Sequence, residues 1–134
     1  MKFKSAIAGC CAVLLCAPLS AQQGSTDGQW LYYGGDLGST SYSSLDQITG
    51  ENVEDLQIAW RWSSRNQGPR PEIRSSTTPL MVNGVLYATA GSRRNVVAIN
   101  AASGETLWIW RMDEGERARR APRPNSGRGV AYWS

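Results

Sequence analysis

The sequence contains no histidine, and its three cysteines, Cys10, Cys11 and Cys16, all fall within the first sixteen residues. Without histidine, zinc coordination of the usual kind and histidine-based acid/base chemistry are excluded. If the N-terminal segment is removed, no thiol or disulfide chemistry remains. Lysine is nearly as scarce. Lys2 and Lys4 are the only two, and beyond residue 21 the chain carries 12 arginines against 11 acidic residues. That near-balance does not point to a nucleic-acid partner.

The lysines belong to a basic start, Met-Lys-Phe-Lys, followed by an apolar stretch of small residues over 5–19. Leu19-Ser20-Ala21 then offers a small-residue cleavage site before Gln22. Residues 1–21 read as a secretory signal, which makes the expected location the periplasm or exported cell envelope. The apolar run is short for a spanning helix, so a retained anchor is the lesser alternative. Ile7-Ala8-Gly9-Cys10 has the look of a lipidation box, but too little apolar chain precedes it to serve as the hydrophobic region.

The most informative stretch runs from Thr77 to Arg111. It contains four apolar runs, over 79–82, 85–90, 95–99 and 106–110. The first gap is Asn83-Gly84, which can take positive φ at both central positions of a type I′ turn. The second is polar and opens on Gly91. The third ends on Gly104, suited to a left-handed residue that closes a hairpin loop. The pattern predicts a four-stranded antiparallel meander. Its strands barely alternate, which argues for cover on both faces. One small sheet cannot cover both its own faces, so similar sheets must stack on it, as in the blades of a propeller.

Elsewhere the signals are thinner. Residues 22–48 read as a leader and an ordered loop, with Trp30, Tyr32, Tyr33 and Tyr42 set among Gly and Ser turns. A short helix is expected from Thr49 to about Leu56, capped by Thr49, with Ile48 and Val53 at staple spacing. Residues 56–62 read as a strand. Trp60-Arg61 recurs as Trp110-Arg111, and Pro69-Arg70-Pro71 as Pro122-Arg123-Pro124. A period near fifty falls in the range of propeller repeats, roughly 40–50 residues. Residues 49–134 then form a partial β-propeller, with one complete blade at about 77–111. A further strand begins at Gly129. Because four to eight blades are needed to close the ring, the chain is expected to be the N-terminal part of a longer protein.

Several of these segments together resemble the quinoprotein dehydrogenases. They are Tyr33-Gly34-Gly35-Asp36, Tyr42-Ser43-Ser44-Leu45-Asp46-Gln47-Ile48, the stretch from Asn52-Val53 to Ala59-Trp60, Thr78-Pro79-Leu80, Ala98-Ile99-Asn100-Ala101-Ala102-Ser103-Gly104-Glu105-Thr106-Leu107-Trp108 and Arg128-Gly129-Val130-Ala131-Tyr132-Trp133. The run ending at Trp108 is similar to the family's tryptophan docking motif, with Asn100 where aspartate is usual. The resemblance implies an eight-bladed propeller holding pyrroloquinoline quinone (PQQ) with a calcium or lanthanide ion. It also implies oxidation of an alcohol or sugar hydroxyl, with electrons passed on to a quinone or cytochrome, and membrane association of some full-length members. It assigns Arg128 as a PQQ contact, a role suited to a guanidinium fork facing carboxylate or quinone oxygens.

Two positions depart from the alcohol-oxidising pattern. Ser76 stands where those members place a glutamate; as a cofactor-binding residue it can donate one hydrogen bond but cannot serve as a carboxylate. Pro122 and Arg123 stand where they place adjacent cysteines. Because glucose-dehydrogenase-like members also lack that cysteine pair, the second departure shifts the expected substrate toward sugars or polyols. The family's catalytic aspartate and metal ligands belong to later blades, so no catalytic or metal residue is assigned in this chain. The alternative of another class is a non-enzymatic envelope scaffold propeller that binds proteins. The basic run from Glu116 to Arg123 is expected to be a solvated loop, and Trp108 and Trp110, two apart on a strand, are expected to share one face.

Overall fold

A computed structural model describes residues 24–68, 71–72, 75–92, 95–120 and 129–134. The expected signal segment and Arg128 lie outside the described residues, as do Arg70, Pro122 and Arg123. The described chain is built round one antiparallel sheet of four strands. These are β1 (Leu80–Val82), β2 (Val85–Ala90), β3 (Asn95–Asn100) and β4 (Thr106–Trp110), in the order β1-β2-β3-β4. The bounds differ by a single residue at β1 and β3 from those the apolar runs predict.

The turns form for the reasons their residues give. Asn83 and Gly84 both have positive φ, 49° and 79°, as a type I′ hairpin requires. In the β3–β4 turn the Asn100 carboxamide oxygen accepts the N–H groups of Ala102 and Ser103 at 2.9 and 3.1 Å. Asn100 therefore performs the cap expected of the aspartate it replaces. Gly104 follows at φ 74°.

Register divides the sheet into two faces. Leu86 opposite Ile99, Ala88 opposite Val97 and Ile109 opposite Val97 make one. Ala88, Ala90, Val97 and Ile99 are its buried centre, and Trp60, Trp62, Leu86 and Ile109 pack against them. On the other face Leu80, Val82 and Ala98 are buried. Tyr87 meets Trp108 there, ring centroids 5.9 Å apart and tilted by 49°. Trp108 and Trp110 share that face, opposite Ala98 and Val96. Each is nearly half exposed, at 46% and 49%. Cover on both faces is thus realised for β3 but not for β4.

Four expectations need correction. Residues 56–62 form no strand. At Met81, β1 pairs instead with Trp30, through reciprocal backbone bonds of 2.9 and 3.0 Å. The 56–62 segment lies over a sheet face, with Trp60 Nε1 donating to the Ala101 carbonyl at 2.9 Å and Trp62 Nε1 to Thr106 Oγ1 at 2.8 Å. Its alternation marks the side turned to the sheet, not a place in a ladder. The helix after Thr49 shrinks to a 3-10 turn, Val53–Asp55. Thr49 Oγ1 does accept the Glu51 N–H, but Asn52 closes the box by accepting the Thr49 N–H at 2.8 Å. Ile48 and Val53 stay exposed, so no buried staple lengthens the turn. Next, the basic run starts with a short helix, α1 (Gly115–Arg120). Glu116 pairs with Arg119 and Arg120, three and four residues on, spacings only a helix brings together. From Gly129 onward a single bridge forms and no strand is present among the described residues.

Candidate functional site

The segment entering β1 carries Ser76. Its neighbour Thr77 is tied to β2. Thr89 donates to Thr77 Oγ1 from both its backbone N–H, at 3.4 Å, and its hydroxyl, at 3.1 Å. Thr78 forms a parallel bridge with Gly129. The structure therefore joins the two stretches in which sequence reasoning placed the cofactor contacts. Ser76 lies two residues before one bridge partner, and Arg128, outside the described residues, directly precedes the other in sequence. Ser76 is exposed, and its hydroxyl has no hydrogen-bond partner among the described residues. An unspent donor at this edge fits a ligand rich in carboxylate and carbonyl oxygens, as PQQ is. It supplies no base.

Upstream of Ser76, the stretches 64–68 and 71–72 are latched to the end of β2 and the start of β3. The Glu72 carboxylate accepts the Gly91 N–H at 3.0 Å, and the buried Asn95 carboxamide donates to the Gln67 carbonyl. Gly91 has φ 76°, and an added Cβ would lie 2.6 Å from the Gln67 carbonyl carbon. Only glycine satisfies both the left-handed conformation and this close approach.

Sequence reasoning missed a cleft of about 720 Å³ in the leader, bounded on the apolar side by Leu31, Tyr32, Leu37 and Tyr42. It forms because Ser25 bridges to Ser43 and because Gly35, at φ 89°, lies under the Trp30 ring. The aromatic residues among glycines signalled an ordered loop, and nothing in their spacing signalled a concavity. At its rim Asp36 accepts the Thr40 N–H and the Thr40 hydroxyl, each at 2.9 Å. The Thr40 N–H is the main influence holding the Asp36 carboxyl below its ordinary value; burial opposes this and the hydroxyl reinforces it.

A lowered folded value means the ionised form favours the fold. The contribution is present above the ordinary carboxylate value and is lost as pH falls through the depressed one. Asp36→Asn should therefore lower stability near neutral pH and match wild type once acid has protonated the carboxyl. Denaturant melts of both across pH 2–7 measure this, and a difference that grows in acid would contradict the assignment.

The carboxylates Asp113, Glu114 and Glu116 are engaged with their own helix. The Asp113 carboxylate accepts the Gly115 N–H, and Glu114 lies 3.9 Å from Arg117. Among the described residues no three His, Cys, Asp or Glu side chains are grouped to hold a metal ion.

A family model described as PQQ: Glucose/ethanol/alcohol dehydrogenase, beta-propeller domain, matches residues 30–134. The chain is 38% identical over 117 residues to the alcohol dehydrogenase (quinone) dehydrogenase subunit of Gluconobacter oxydans, covering 86% of this chain and 14% of that protein. It is 35% identical over 107 residues to quinohemoprotein alcohol dehydrogenase ADH IIB of Pseudomonas putida, covering 79% and 15%. With the glycerol dehydrogenase large subunit of Gluconobacter thailandicus it shares 31% identity over 124 residues, covering 87% and 16%. The chain thus spans about one seventh of the length of these curated relatives. The match takes in the entry to β1, the whole sheet and the Gly129 bridge, and the chain belongs to the PQQ-dependent quinoprotein dehydrogenase family, within its β-propeller domain.

Proposed function

We propose that this chain is the N-terminal part of an exported, PQQ-dependent dehydrogenase that oxidises the hydroxyl of an alcohol, polyol or sugar. The observation that carries the reading is the family match across residues 30–134, which includes both partners of the Thr78–Gly129 bridge. The names of the relatives support hydroxyl compounds as substrates, since they include alcohol, butanol and glycerol dehydrogenases. Two of them, named as quinone and cytochrome c enzymes, support a quinone or cytochrome as electron acceptor. The basic, apolar and small-residue order of residues 1–21 supports export to the periplasm. Membrane association belongs to the same proposal for the whole protein.

PQQ, when bound, supplies the two-electron acceptor for the oxidation. Ser76 would donate a hydrogen bond to it, and Arg128 would offer its guanidinium fork to a carboxylate or quinone oxygen. Neither residue takes the substrate proton, because serine and arginine are not bases at neutral pH. That task, and the binding of a calcium or lanthanide ion, falls to residues outside this chain. The division of labour has a direct test. Purified residues 22–134 with added PQQ and calcium should not reduce an artificial dye when given an alcohol, whereas the whole polypeptide containing them should. Dye reduction by the 22–134 protein would overturn the assignment of the base to another part. A whole polypeptide inactive with every alcohol, polyol and sugar tried would overturn the dehydrogenase reading.

A further inference from the structure

The ladder between β1 and β2 begins at Leu80 opposite Tyr87. Before that point the segment 75–79 has no ladder pairing with β2 among the described residues, yet it does not leave the sheet. The reason is Thr77. The Thr89 N–H, on a residue only 6% exposed, finds its acceptor in the Thr77 hydroxyl. The Thr89 hydroxyl donates to the same oxygen. A side chain thus takes the place a carbonyl would hold if β1 continued. Thr78 is then paired with Gly129 while the segment stays anchored. One oxygen fixes the backbone lying between the exposed Ser76 and the Thr78–Gly129 bridge.

We propose that Thr77 is a positioning residue for the cofactor edge. Its hydroxyl, pinned on Thr89, holds Ser76 and Thr78 in the register at which Ser76 and the Gly129 segment face one ligand. This rests on the PQQ reading above and assigns Thr77 no contact with the cofactor itself. Removing the hydroxyl leaves the Thr89 N–H without that acceptor. The bridge and the neighbouring donor then lose their common anchor.

The experiment is a titration of the whole polypeptide, metal-loaded, with PQQ, followed by quenching of tryptophan fluorescence to give affinity and stoichiometry separately. Thr77→Val should weaken PQQ binding about tenfold, the equivalent of about 1.4 kcal/mol. Stoichiometry should stay unchanged. Thr77→Ser, which keeps the hydroxyl, should bind within about twofold of wild type. Thr77→Ala is the second hydroxyl-free variant, read in place of Thr77→Val if that protein does not fold. Wild-type affinity in a folded hydroxyl-free variant would overturn the proposal, and so would reduced stoichiometry at unchanged affinity, the mark of a merely structural role. Failure of Thr77→Ser to restore affinity would overturn it too. A wild-type protein that takes up no PQQ would instead overturn the cofactor reading itself, and with it this inference.

Discussion

Gly91→Ala should destabilise the folded protein by about 2–5 kcal/mol, the sum of two independent costs. The first is conformational. At φ 76° an alanine bears the left-handed penalty of roughly 1–2 kcal/mol. The second is the collision of the new methyl with the Gln67 main chain, 2.6 Å from its carbonyl carbon. Backbone cannot swing aside as a flexible side chain can, so the stretch carrying Gln67 must lift. That breaks the bond from Asn95, a carboxamide only 2% exposed, and leaving such a donor unpaired costs about 1–3 kcal/mol. Denaturant unfolding of wild type and variant measures the difference. A loss below about 1 kcal/mol would show that this stretch is not seated on Gly91 as described.

The second large effect belongs to Trp60. Its ring packs against the buried Ala88, Ala90, Val97 and Ile99 cluster, and its N–H donates to Ala101. Trp60→Ala should cost about 3 kcal/mol, toward the low end for a large aromatic because the residue is not fully buried. Trp60→Phe, which loses the N–H but keeps a ring, should cost about 1 kcal/mol more gently. Gly104 supplies an internal check. A Cβ there would lie 2.7 Å from the indole, so Gly104→Ala is destabilising chiefly through Trp60. In the Trp60→Ala background the same change should cost only the backbone strain of about 1–2 kcal/mol. Strict additivity in that double-mutant cycle would mean the two residues do not touch.

The sheet was legible because its information is local. Asn83-Gly84, Gly91 and Ser103-Gly104 each fix a turn within a few residues, and the apolar runs between them can only be strands of matching length. The tryptophan spacing also carried through, since Trp108 and Trp110 do share a face. What failed at 56–62 was an inference that required a distant partner. An extended apolar alternation at 56–62 cannot say whether its backbone will find a ladder, because Trp30, with no strand signature of its own, had already occupied Met81. The helix at 115–120 was hidden by its composition, arginine and glutamate, which reads equally as a solvated loop until the i, i+3 and i, i+4 pairs form. At the candidate site the residue types of Ser76 and Arg128 were readable. The Thr77–Thr89 anchor was not, because nothing in a sequence marks a threonine hydroxyl as a substitute for a carbonyl.

β1 differs from its neighbours in how its contacts are reached along the chain. Strands β2 to β4 find one another across turns of a few residues, whereas β1 receives Trp30 on one side of its sequence and, through Thr78, Gly129 on the other, each about fifty residues away. Hairpins close in about 1–10 μs, but long closures carry a larger entropic toll before any contact rewards them. During synthesis at roughly 5–20 residues per second, the ribbon of 80–110 therefore has seconds to form before Gly129 has left the ribosome. The Thr78–Gly129 bridge is the last part of this region to assemble, and it does so on a template that is already in place.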